Sequence, residues 1–135
     1  MITEDYVSYE IAKLLKEKGF DSDDVGCHGG FYSERCYESG HGIKTQSGQE
    51  VGIVYDDLTN SELDYDEYLR PTLQMAIKWL REVHNIDISI TPDRKENYTT
   101  IIFVNKELPF TSIGSFKTHK AACEAAIKYV LENLI

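Results

Sequence analysis

The sequence predicts an α+β fold, three helices packed on one face of a small antiparallel sheet, in the order α-β-β-α-β-β-(β)-α. Three observations carry that expectation. Three segments repeat apolar residues at helical spacing, Ile86, Ile88 and Ile90 alternate with polar neighbours as a half-buried strand does, and strand-like pairs separate the helices. The 135 residues suffice for a single domain over 1–135. A chain of this size buries roughly two-thirds of its unfolded surface without disulfides or metals.

The first helix is expected over 4–18, capped by Thr3, with Glu4 and Asp5 at its positive end and Lys16 and Lys18 at its negative end. Val7, Ile11, Leu14 and Leu15 form its apolar stripe, and Gly19 followed by Phe20 fits a left-handed stop. From 25 to 48 the chain is glycine-rich and without sustained periodicity, so irregular strands and turns are expected. Ser47-Gly48 marks a hairpin turn between strands over 43–46 and 49–55. Residues 56–68 hold six acids and no base and read as a solvated connector.

Pro71 opens a second helix over 71–84, with Leu73, Ala76, Ile77, Leu80 and Val83 on one face, Trp79 widening it and Asn85 ending it. A strand through 86–90 turns at Pro92-Asp93 into a second over 98–105, apolar on parts of both faces and therefore central. A short third strand follows around 109–114. The last helix, 119–133, is capped by Thr118 and packs through Ala122, Cys123, Ala126, Ile127, Val130 and Leu134.

Charge is unevenly distributed along this layout. The front half, 1–70, carries sixteen acids against six bases, a net −10; the near-neutral back half, 71–135, carries seven against eight, a net +1. Net charge governs association rather than fold. The acidic surplus argues against direct nucleic-acid binding, which needs Lys and Arg on phosphates, and makes a basic protein surface the expected partner. Met1-Ile2-Thr3-Glu4-Asp5 has no signal-peptide character and no apolar run reaches membrane-spanning length, so no membrane association and a cytoplasmic location are expected. Three cysteines without an export signal read as reduced thiols.

The segments Ala12-Lys13-Leu14-Leu15-Lys16-Glu17-Lys18-Gly19-Phe20, Pro71 through His84, and Ala121 through Ile135 resemble a family of short uncharacterised hypothetical proteins from gut Bacteroides-type bacteria and their phages or prophages. The resemblance covers about a quarter to a third of the chain, all of it helical packing segments. It implies a common small fold and a mobile-element origin, and it brings no activity, cofactor or catalytic residue. His119-Lys120 after Thr118 depart from the acidic residues expected there. Positive charge in a first turn is mildly unfavourable, which calls for a compensating contact.

Two candidate sites stand out. Cys27, His28, Cys36 and His41 supply two thiolates and two imidazoles, a complete tetrahedral set for zinc, although adjacent Cys27-His28 depart from the usual ligand spacing. Cys27 beside His28 also supplies the residue types of a thiol enzyme, but neighbours on a strand point to opposite faces. The second candidate is the acidic, tyrosine-bearing stretch Asp64, Tyr65, Asp66, Glu67 and Tyr68, expected to contact a partner because tyrosine joins apolar area to a polar tip. There is no phosphate-binding loop, dinucleotide fingerprint, His-Glu-x-x-His or Gly-x-Ser-x-Gly.

The expected function is therefore a small non-enzymatic protein-interaction module with an acidic, tyrosine-bearing surface. The alternative is a zinc-stabilised domain, or a thiol- or metal-dependent enzyme built on 27–41. A homodimer through an exposed strand edge or the Trp79 face is a third expectation.

Overall fold

The computed structural model describes residues 5–21, 31–33, 42–44, 50–52 and 67–135. The chain is α+β and divides into two compact units, Met1–Thr72 and Leu73–Ile135. Among the described residues there are three helices, and every strand pairing is antiparallel.

In the first unit, helix α1 spans Tyr9–Glu17 and starts later than its charge pattern suggests. Ser8, in extended geometry, is the cap, its hydroxyl accepting from Ile11 N at 3.4 Å. The delay is tertiary. Tyr6 bridges Thr72 and Val7 N donates to Pro71 O at 3.0 Å, so both Tyr6-Val7 and Pro71-Thr72 are held extended. The other end follows local chemistry. Gly19 takes φ +90°, its N–H donates to Lys16 O at 3.1 Å, and Phe20 N donates to Leu15 O at 2.9 Å, a Schellman closure with Phe20 buried.

The first sheet has the order β2-β3-β1-β4, from β1 (Phe31–Ser33), β2 (Gly42–Lys44), β3 (Glu50–Gly52) and β4 (Glu67–Leu69). Strand β4 lies at the end of the stretch read as a solvated connector. It forms because Tyr68 and Leu69 are buried and Tyr68 sits directly opposite Tyr32 of β1.

In the second unit, α2 spans Leu73–His84, two residues short of its predicted start. Leu73, Ala76, Ile77, Trp79 and Leu80 are buried, whereas Val83, expected on the same stripe, is exposed. Asn85 ends the helix at φ +56°, its carbonyl accepting from Asn105 N at 2.9 Å and its amide donating to Asn105 Oδ1 at 3.1 Å. Strand β5 (Ile86–Pro92) then pairs with β6 (Tyr98–Val104) in unbroken register from Ile86 opposite Val104 to Pro92 opposite Tyr98.

Strand β6 is central, as its two-faced apolar pattern predicts. Its other edge pairs with β7 (Glu107–Thr111) and β8 (Ser115–Phe116), into which the expected third strand divides. Asn105 and Lys106, at φ +55° and +58°, make the two-residue β6–β7 turn, whose left-handed pair matches the twist of the strands. Helix α3 spans His119–Asn133, capped by Thr118 Oγ1 accepting from Ala121 N at 3.0 Å. It packs on β6, with Ala122, Cys123, Ala126 and Ile127 buried on its side and Thr100 and Ile102 buried on the strand.

Asn85→Ala places a Cβ-bearing residue in the left-handed region and removes the bond to Asn105, so it should lower stability by about 1–2 kcal/mol. Asn85→Gly, free of the backbone penalty, should cost less. Urea midpoints at unchanged slope read both.

Candidate functional site

The acidic stretch 64–68, expected to contact a partner, leads into an aromatic cluster. Asp64, Tyr65 and Asp66 lie outside the described residues, while Glu67 and Tyr68 begin β4. Tyr68 is only 6% exposed, with its ring 5.7 Å from Tyr9 in an edge-to-face contact. Tyr9 meets Tyr32 in the same way at 5.9 Å, and the Tyr32 hydroxyl donates to Val7 O at 2.7 Å. Two cations of the same unit close the cluster. Arg70 lies 4.1 Å from the Tyr6 ring centre and 5.8 Å from that of Tyr32. Lys16 lies 5.4 Å from the Tyr68 ring centre and donates to Glu67 O at 2.7 Å. Cation–π contacts of this kind hold the rings from both sides. Tyr68 is thus a packing residue at the base of the acidic stretch.

Cys27, His28, Cys36 and His41 all lie outside the described residues. Among the described residues, no group of three or more His, Cys, Asp or Glu side chains is arranged to hold a metal ion. Cys123 is fully buried on α3, with Sγ 3.5 Å from His119 Nδ1. The His119 ring also stands edge-on to Tyr98 at 5.6 Å. These two contacts hold the His119 ring in the first turn of α3. The buried thiol has no route to a substrate, so the pair is a packing contact. Trp79, at 1% exposure, is likewise a core residue.

The turn between β5 and β6 carries polar residues that sequence reasoning passes over. Asp93 N donates to Asn97 O at 2.8 Å and Glu96 takes φ +61°, closing a three-residue hairpin loop. Asp93 Oδ1 accepts from Lys95 N at 2.8 Å and Asn97 N at 3.1 Å, and Oδ2 accepts from Ser115 Oγ at 3.2 Å. The Lys95 and Asn97 backbone donors foremost, aided by the Ser115 hydroxyl and the Lys95 charge, hold the Asp93 carboxyl below its ordinary 3.8 against an opposing effect of desolvation. An open groove of about 460 Å³ lined by Asp93, Arg94, Lys95, Asn97 and Ser115 lies over this turn. Because every Asp93 oxygen already has a donor, the carboxylate ties the turn to β8 rather than serving as a free base. Pro92-Asp93 marks a turn in the sequence, but nothing local ties Asp93 to Ser115.

Among the described residues, the most exposed large apolar side chains are on β7, an edge strand. Leu108 is 77% exposed and Phe110 50% exposed, with Val104 of β6 also exposed beside their turn. Exposed apolar residues on a sheet edge mark interaction sites or association hazards. No helix among the described residues is long and apolar enough to cross a membrane. Comparisons with protein-family models, curated proteins and solved structures found no match to the chain. The functional reading therefore rests on these residues alone.

Because the Asp93 carboxyl titrates below its unfolded value, its contribution to stability is present above that value and is lost as pH falls through the lower, folded one. Asp93→Asn should melt below wild type at neutral pH, and the gap should close as pH drops well under 3.8. A melting-temperature difference independent of pH would remove the charge from the account.

Proposed function

We propose that this chain is a small protein-interaction module that binds a partner with a basic surface. The observation that carries the reading is the apolar side chain of an edge strand left in water, Leu108 and Phe110 on β7. Burying such residues against a partner returns roughly 25 cal/mol for each Å² removed from water. The charge of −10 over residues 1–70 sets the sign of the partner, since complementary potentials speed encounter and fix orientation. Asp64, Asp66 and the half-buried Glu67 are the acidic contacts of this reading and Tyr65 its tyrosine, while Tyr68, expected beside them, is buried. Resemblance of the helical segments to short proteins of gut Bacteroides-type bacteria and their phages supports an accessory role on a mobile element as part of the same proposal.

The test is quantitative capture from the source cells by three baits: wild type, a triple Asp64→Lys, Asp66→Lys, Glu67→Lys variant, and a double Leu108→Ser, Phe110→Ser variant. A basic partner should be retained by wild type, released by added salt, and held at least about fivefold less by either variant. Capture that is indifferent to salt and to both variants would refute the reading.

A further inference from the structure

We draw no further inference here: the strongest candidate, the surface patch on the edge strand β7 where Leu108 and Phe110 stay exposed and the Phe110 ring lies 5.7 Å from that of Phe103 on β6, carries none because nothing in the structure shows what covers it.

Discussion

Strand β6 is the constraint on which the second unit depends. It has partners on both edges and apolar residues on both faces, yet α3 packs against only one of those faces. A strand with this composition belongs in the middle of a covered sheet. The small residues of α3, Ala122 and Ala126, bring the helix close enough to bury Thr100 and Ile102. Thr100 tolerates full burial because its hydroxyl accepts from Ile113 N at 3.3 Å, which also draws the chain after β7 back toward β6. On the other face Ile101 and Phe103 stay partly exposed. The functional reading grows from that imbalance.

The first unit solves a different problem, how to pack in a half dominated by acids. Its described core is built on tyrosines whose rings meet edge to face and whose outer faces are covered by Arg70 and Lys16. Cations engaged this way stabilise the cluster through ring quadrupoles. The same cluster explains why β4 exists: Tyr68 has a place in the core, so the chain pairs with β1 where composition alone predicts a solvated connector.

Local features of the fold were legible and longer-range ones were not. The left-handed closures at Gly19 and Asn85, the Thr118 cap and the bounds of α3 follow from chemistry within a few residues, and the structure agrees with each. The start of α1 moved from the predicted Thr3 cap to Ser8 because Tyr6 and Val7 pair with residues more than sixty positions away, and the start of α2 moved for the same reason. Val83 fits the apolar stripe of α2 by spacing but lies at the edge of the buried arc, in the last turn. At the candidate sites, helical spacing permits the contact of His119 with Cys123 without predicting it, while the ties between Asp93 and Ser115 and between Phe103 and Phe110 cross strands with no sequence signal.

By itself the sequence determined the α+β class, the helix stops, the central position of β6 and the charge imbalance between its halves, because each is a sum over neighbouring residues or over composition. Only the tertiary structure decided which of those residues remain at the surface. It drew Tyr68 and Trp79 into the core, left Leu108 and Phe110 in water, and set Asp87 beside Phe103 with one oxygen unsatisfied. Exposure and cross-strand pairing depend on which distant segments meet, and that is fixed by register and by competition for a limited buried volume, not by residue type.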